Sequence, residues 1–239
     1  MSDIVGQYDL RRAGLFAGLN GCELTALLGR ARQKAAARGQ AFFQEHDAAK
    51  YCHLLVSGRV KLVQTNIDGG QVVVRFIGAG ELFGWATVLG SPCYPGSAKA
   101  TTACTALIWD ADDIRHAMLT YPRLALNALE LIGERLREAQ DRLRELATEP
   151  AEWRVARALL RLVRQSGRAT REGWEINFPL SRQDLAEAVG TTLHTVSRIL
   201  AAWTQAGIIG GGRQRLVVLR QDRLMALVDD SGTHSNGHD

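Results

Sequence analysis

Three side chains near the C-terminus have the types and spacing that are needed to read the edges of DNA base pairs. His194, Ser197 and Arg198 lie on one face of a predicted helix, next to the small side chain of Ala201. An arginine can donate to guanine O6 and N7 together, while histidine and serine can reach base edges or phosphate oxygens. The opposite face is an apolar stripe with helical spacing, formed by Val196, Ile199, Leu200 and Trp203. Such a helix is suited to enter the major groove with its N-terminal turns.

A second short helix and a sharp turn must precede this helix and hold it on a protein body. The motif Ser181-Arg-Gln-Asp184 predicts a capped helix start, and the helix ends at Val189-Gly190, where glycine permits a positive φ. Thr192 is expected to cap the second helix, which runs to about Gln205. We therefore predict a helix-turn-helix. The side chains expected to contact the DNA backbone from this motif are Ser181, Arg182, Thr192 and Thr195.

A basic hairpin follows the two helices. Two apolar runs, 207–209 and 216–219, flank the run 210–215, which carries Arg213 and Arg215 behind three glycines. We predict that this hairpin is a wing whose two arginines contact phosphates. The wider region agrees, because residues 150–228 contain 12 arginines and no lysine against 6 acidic residues, a net charge of +6, while the rest of the chain carries −2.

Between residue 122 and about residue 147 the pattern predicts one long helix with an apolar seam. The seam residues are spaced 3-4-3-4-3 and are Leu129, Ile132, Leu136, Ala139, Leu143 and Leu146. Mostly Arg, Glu, Asp and Gln stand between them, and the helix would be about 35–40 Å long. This pattern favours pairing of two copies into a homodimer, and packing of the seam on its own domain is the alternative. Thr148-Glu149-Pro150 then interrupts the helical pattern, because proline suits the first turn of a new helix.

The first half of the chain has the pattern of short strands separated by glycine turns. The runs 51–56 and 59–64 flank Ser57-Gly58, and Asp68-Gly-Gly70 leads into the run 71–77. Asp-Gly between alternating runs is a strong hairpin signal. We predict an α+β chain with an antiparallel β-barrel or jelly roll at 1–121 and a dimerisation helix at 122–148. A winged helix-turn-helix at 149–230 and a disordered tail at 231–239 complete the predicted organisation.

In this order of elements the chain resembles the Crp/Fnr family of bacterial transcription regulators over almost its whole length. The run 180–190, LSRQDLAEAVG, looks like the first motif helix of that family, and the run 195–200, TVSRIL, looks like its recognition helix. The resemblance implies that Arg198 reads a guanine and Ser197 an adjoining base in each half of a palindromic site. His194 stands where the family usually carries a base-reading Glu, so the half-site sequence does not carry over. The resemblance also implies an activator that works with RNA polymerase and receives its signal through the barrel.

The sensory part departs from the cyclic-AMP binders of that family. Gly80-Glu-Leu-Phe-Gly84 resembles the turn that leads into their nucleotide site, but Trp85 follows where the resemblance requires a Glu for the ribose. No arginine occurs between Arg75 and Arg115, so a cyclic phosphate would lack its usual partner. We expect a signal other than cyclic AMP: a small uncharged or aromatic effector, or no effector with Trp85 filling the cavity. The residues expected to line the pocket are Trp85, Cys93, Tyr94, Ala139 and Gln140.

The signals for metals and cofactors are weak. The iron–sulfur branch of the family needs a cluster of cysteines near the N-terminus, where only Cys22 lies. The other cysteines form no C-x-x-C pair and are Cys52, Cys93 and Cys104. A haem- or redox-sensing regulator stays open, because His46, His53 and His116 lie in the sensory segment. Otherwise we expect no cofactor and no metal.

Two other classes of function compete with a DNA-binding regulator. A cupin-type metalloenzyme needs a close pair of histidines, and the chain has no H-x-H, so we expect no enzyme. A signal-binding subunit that acts on a partner protein would have no use for the Arg198 face or the basic hairpin. No run approaches the roughly 20 apolar residues that cross a bilayer, so we expect a cytoplasmic protein without a membrane partner.

Overall fold

The computed structural model describes residues 13–212 and 214–229, which belong to two compact units. Of the described residues, 13–140 belong to the first unit, and 141–212 and 214–229 belong to the second. The wing residue Arg213 and the tail at 231–239, which the sequence predicts to be disordered, lie outside the described residues.

Eight strands build the first unit as two four-stranded antiparallel sheets. They are β1 (Arg32–Ala36), β2 (Ala41–Phe43), β3 (Tyr51–Ser57), β4 (Val60–Thr65), β5 (Gln71–Ile77), β6 (Leu82–Phe83), β7 (Ser97–Ala100) and β8 (Cys104–Asp110). The spatial order is β1-β8-β3-β6 in one sheet and β2-β7-β4-β5 in the other. The predicted antiparallel β-domain is confirmed.

The β4–β5 hairpin shows how local sequence sets the strand register. Val60 pairs with Ile77, and the pairing continues to Thr65 and Gln71 at the loop, with one register shift between Leu62 and Val63. In that loop the side-chain oxygen of Asn66 accepts a hydrogen bond from the backbone N–H of Gly70 at 2.6 Å. Gly69 has a φ of 79°, a conformation that favours glycine. The turn lies where the sequence predicts it.

Five rings form an aromatic cluster between the strands of this unit. They are Phe42, Phe43, His53, Phe83 and Tyr94. Phe43 stacks on Tyr94 with ring centroids 3.8 Å apart, and His53 stacks on Phe83 at 4.8 Å. The Tyr94 hydroxyl donates a hydrogen bond to the carbonyl oxygen of Tyr51 at 2.8 Å, so the polar end of this ring is satisfied.

Three helices contribute to a second apolar cluster of the first unit. They are α1 (Gly21–Gly29), α2 (Ala111–Thr120) and the long helix α3 (Pro122–Thr148). The indole N–H of the fully buried Trp109 donates to the carbonyl oxygen of Leu27 at 2.8 Å and so joins β8 to α1. Helix α3 begins in the first unit and ends in the second. Leu124 and Ala128 bury its first turns in the same cluster.

Four helices and a four-stranded antiparallel sheet build the second unit beyond α3. They are α4 (Ala151–Ser166), β9 (Gly167–Ala169), β10 (Trp174–Ile176), α5 (Arg182–Val189), α6 (Leu193–Gln205), β11 (Ile209–Gly212), β12 (Arg215–Val218) and α7 (Gln221–Asp229). The strands lie in the order β11-β12-β10-β9. Val155, Leu159, Leu185 and Leu224 are almost fully buried and form part of its core. The α+β fold class is confirmed, and none of the helices described is long and apolar enough to span a bilayer.

Candidate DNA interface and effector cleft

Side-chain hydrogen bonds fix the starts of the two motif helices α5 and α6. The Ser181 hydroxyl oxygen accepts from the backbone N–H of Asp184 at 3.0 Å, and the hydroxyl donates to the Asp184 carboxylate at 2.6 Å. Thr192 Oγ1 accepts from the backbone N–H of Thr195 at 3.1 Å. A cap of this kind contributes about 1 kcal/mol to helix stability. Both helices therefore begin where the sequence predicts, and both starts are held by local bonds.

Gly190 makes the turn between α5 and α6. Its φ and ψ are 64° and 49°, which is the left-handed conformation that favours glycine. A Cβ atom at this position would lie 2.7 Å from Cδ2 of Leu146, so there is also little room for a side chain. The backbone N–H of Thr191 donates back to the carbonyl oxygen of Ala186 at 3.1 Å, which closes the turn.

The face of α6 that was predicted to read bases is accessible. The apolar stripe is buried as expected and consists of Val196, Ile199, Leu200 and Trp203. On the other side His194 and Arg198 are exposed and Ser197 is half-buried. Within the described part of the chain, no other side chain engages the Arg198 guanidinium or the His194 imidazole. The predicted backbone contacts Arg182 and Thr192 are exposed, and Ser181 and Thr195 are half-buried.

The wing carries an ion pair that the sequence analysis did not find. Arg215 Nε donates to Glu175 Oε1 at 2.7 Å, and Arg168 donates to Glu175 Oε2 at 2.7 Å. These two hydrogen bonds, that of Arg215 first, hold the pKa of Glu175 below its usual value, and the same bond raises the pKa of Arg215. Arg215 is thus already paired within the chain, although half of its side chain is exposed.

The predicted dimer seam is largely exposed on α3. Leu129, Leu136 and Leu143 are 64%, 59% and 68% exposed, and Leu146 and Ala139 are exposed as well. Ile132 is half-buried. Exposed leucines at this regular spacing are unusual on a solvated helix and are typical of a helix that packs against a partner.

The first unit contains a cleft of about 420 Å³ beside α3. Its lining residues are Gly14, Ala79, Gly80, Glu81, Leu82, Trp85, Leu131 and Arg135. Trp85 is therefore the one residue of the predicted effector pocket that lines this cleft. The others lie elsewhere: Tyr94 is buried in the aromatic cluster, Cys93 pairs with Ala48 in an isolated β-bridge, and Ala139 and Gln140 are exposed on α3.

Charged side chains cross one wall of this cleft. The Glu81 carboxylate accepts from Arg75 at 2.5 Å and from Arg135 at 3.1 Å. Arg135 also donates to both carboxylate oxygens of Glu138, at 2.8 and 3.0 Å. Burial lowers the pKa of Arg75, and Glu81 opposes that shift. Sequence reasoning missed this cluster because Glu81 and Arg135 are 54 positions apart and no local pattern joins them.

Comparison with known proteins identifies the family. A model of the cyclic nucleotide-binding domain matches residues 33–121, and a model of the Crp-like helix-turn-helix domain matches residues 153–227. The protein called Cyclic AMP receptor protein in Thermus thermophilus is 32% identical over 200 residues, which cover 84% of this chain and 89% of that protein. The chain belongs to the Crp/Fnr family of transcription regulators. Crp/Fnr proteins bind DNA through the helix-turn-helix, so the predicted DNA-binding regulator is confirmed.

Further members of the Crp/Fnr family resemble the chain over similar lengths. The nitrogen fixation regulation protein FixK of Azorhizobium caulinodans is 30% identical, with 81% of this chain and 77% of that protein covered. Among solved structures, FixK2 from Bradyrhizobium japonicum superposes with a TM-score of 0.74 at 26% identity, covering 82% of this chain and 96% of that one.

In this Crp/Fnr regulator two ion pairs join the last turn of α3 and the residue that follows the helix, Glu149, to α4. Arg161 donates to Glu145 at 2.5 Å and Arg157 donates to Glu149 at 2.9 Å. The two carboxylates are only 7% and 5% exposed, so these are ion pairs whose loss would leave a buried charge. The helical pattern is interrupted at Pro150 as predicted, since α3 ends at Thr148 and α4 begins at Ala151, but these bonds join the segments on both sides of the break.

The three histidines that leave haem binding as an alternative do not lie at one site. His46 and His116 are exposed, whereas His53 is 1% exposed within the aromatic cluster. A Cβ atom at Gly84 would lie 2.8 Å from His53 Nδ1 and 2.7 Å from the Phe43 ring, so the space beside this imidazole is filled. Within residues 13–212 and 214–229 no group of three or more His, Cys, Asp or Glu side chains has a geometry for a metal ion.

Proposed function

We propose that this Crp/Fnr regulator binds a palindromic DNA site as a homodimer and that a signal other than cyclic AMP modulates it through the barrel. The observation that carries the proposal is the exposed face of α6, with His194 and Arg198 unengaged and Ser197 beside them. We assign guanine recognition to Arg198, since its fork matches O6 and N7. His194 and Ser197 supply further hydrogen bonds to base edges.

The exposed seam of α3 supports the homodimer. Leu129, Leu136 and Leu143 would each be covered by the same residues of a second copy in a parallel pair. Burying a leucine side chain that is otherwise exposed contributes about 1.5–3 kcal/mol. Two copies joined this way would each present one α6 helix, and recognition helices of such dimers fit half-sites about 34 Å apart.

The charge pattern of the cleft argues against cyclic AMP. Arg75 and Arg135 are already bonded to Glu81, and Arg135 is bonded to Glu138 as well. A cyclic phosphate would have to displace the carboxylate of Glu81 or Glu138, or lie beside it. A phosphate and a carboxylate in contact repel each other, because both are negatively charged. Trp85 lines the cleft and offers an aromatic surface, which suits a small planar effector.

We further propose that the bound dimer recruits RNA polymerase and acts as an activator in the cytoplasm. This step rests on the family alone. A relative from Mycobacterium tuberculosis, 25% identical over 215 residues, is named a cAMP-activated global transcriptional regulator. Fold and family do not fix the direction of regulation, so a transcription assay from a selected site decides it.

Selection from a randomised DNA duplex library tests the proposed function. The full chain should enrich an inverted repeat whose half-site centres lie about 10 base pairs apart. The Arg198→Ala variant should lose the preference for one base in each half-site while still retaining DNA at low salt. Enrichment of a single asymmetric site, or no enrichment with the wild-type chain, would contradict the proposal.

A further inference from the structure

One carboxylate in the sheet that contains the wing, β11-β12-β10-β9, bonds two arginines at once. Glu175 on β10 bonds Arg168 and Arg215, each at 2.7 Å and each through a different carboxylate oxygen. The Glu175 side chain is 12% exposed, whereas those of Arg168 and Arg215 are 64% and 55% exposed. The carboxylate thus lies beneath two cationic groups that face outward.

The strand register explains why these three side chains meet. Glu175 stands directly opposite Arg168 in the β9–β10 pair and opposite Val217 in the β10–β12 pair. Arg215 is two residues from Val217 on β12, and side chains two apart on a strand share a face. The three charges therefore belong to one face of the sheet, and Arg215 opens β12 directly after the tip of the hairpin.

The cluster carries a net charge of +1 and most of its donors are unused. A guanidinium has five N–H donors. On each arginine one nitrogen bonds Glu175. Among the described residues no other side chain bonds either guanidinium. The two free oxygens of a phosphodiester match one such fork. We propose that Arg168 and Arg215, oriented by Glu175, each bind a DNA backbone phosphate outside the helix-turn-helix.

This inference rests on the proposed DNA binding and adds two residues to it, the phosphate ligand Arg168 and the positioning residue Glu175. A purely structural ion pair predicts the opposite response to mutation. Removing the Glu175 charge makes the surface more positive, so unspecific attraction alone would tighten DNA binding. If Glu175 instead holds the two guanidiniums in place, Glu175→Gln weakens binding although it adds positive charge.

The test measures affinity of the full chain for a mixed-sequence duplex of 40 base pairs between 0.05 and 0.5 M NaCl. Each phosphate that the protein neutralises contributes about 0.9 to the slope of log affinity against log salt. The Arg168→Ala variant should neutralise one phosphate fewer. Between 0.05 and 0.5 M NaCl the loss of its affinity should therefore be about eightfold smaller than the loss of the wild-type affinity. Glu175→Gln should show the same shallower slope. Glu172→Gln is the charge-matched control, because Glu172 is exposed in the β9–β10 turn and acts on Arg215 through its charge, without the hydrogen bond that Glu175 makes. This variant should bind at least as tightly as the wild type.

Two results would overturn the inference. One is a wild-type slope in Arg168→Ala, and the other is tighter binding by Glu175→Gln of the same size as by Glu172→Gln. If Glu175→Gln fails to fold, Arg168→Ala still decides, since that side chain is largely exposed. If the wild type itself shows no salt-sensitive binding, the proposed function fails instead, so the two failures are distinguishable.

Discussion

Acid should destabilise the barrel through His53, and the size of the effect follows from the structure. Burial among the rings, with a smaller contribution from Lys34, lowers the pKa of His53 to about 3. In the unfolded chain a histidine titrates at about 6.5. Between these two values the unfolded chain binds a proton that the folded barrel does not, so stability falls as the pH falls. At pH 5.0 the loss relative to pH 7.5 should be about 2 kcal/mol.

Hydrogen exchange of the β3 and β8 amides, corrected for the intrinsic pH dependence of exchange, measures this loss in the barrel itself. Other groups also titrate in this range, so the informative quantity is the difference between the wild type and His53→Phe. The phenyl ring keeps an aromatic side chain among the four rings and cannot be protonated. His116→Gln is the control, because His116 is exposed on α2. An equal pH dependence in the wild type and in His53→Phe would refute the assignment.

Three further predictions concern the DNA-binding unit and the seam. Arg198→Ala should weaken binding to a selected palindrome by about 1–3 kcal/mol in a titration, with little effect on a mixed-sequence duplex; equal losses on both would contradict base reading. Gly190→Ala should lower the free energy of unfolding by about 1–2 kcal/mol because of the left-handed backbone, and by a further amount because the added Cβ would press on Leu146 of α3. Its matched control in denaturant unfolding is Gly207→Ala, because Gly207 has a φ of 67° but open space for a Cβ. Equal losses of unfolding free energy in the two variants would disprove the contact at Gly190. Leu136→Glu should make the chain monomeric in sedimentation, whereas Leu119→Glu, at an 83% exposed leucine off the seam, should not; a dimer in both would show that α3 does not pair.

The DNA-binding motif was predictable because short-range signals specify it. Ser181 and Thr192 cap helices whose first turns follow them directly, and Gly190 supplies a backbone conformation that other residues rarely adopt. The stripe through Val196 and Trp203 has the helical period that decides which face is buried. Each of these signals acts within seven positions along the chain, so no knowledge of tertiary contacts is needed.

The charged clusters were not predictable from the same sequence. Glu81 meets Arg135 across 54 positions, and Glu175 meets Arg215 across 40, so only the assembled fold brings them together. The residues that line the cleft were not predictable for the same reason. Trp85 lines a cleft, whereas Tyr94 lies in the aromatic cluster, where its hydroxyl donates to the carbonyl oxygen of Tyr51. Local pattern does not determine to which side of a β-domain a loop residue turns.

Hydroxyl-radical footprinting of the full chain on a selected site, with the number of chains per duplex determined on the same sample, tests the central claim most directly. We predict two chains per duplex and two protected patches whose centres lie one helical turn apart, about 10 base pairs. A single protected patch with one chain per duplex would contradict the account.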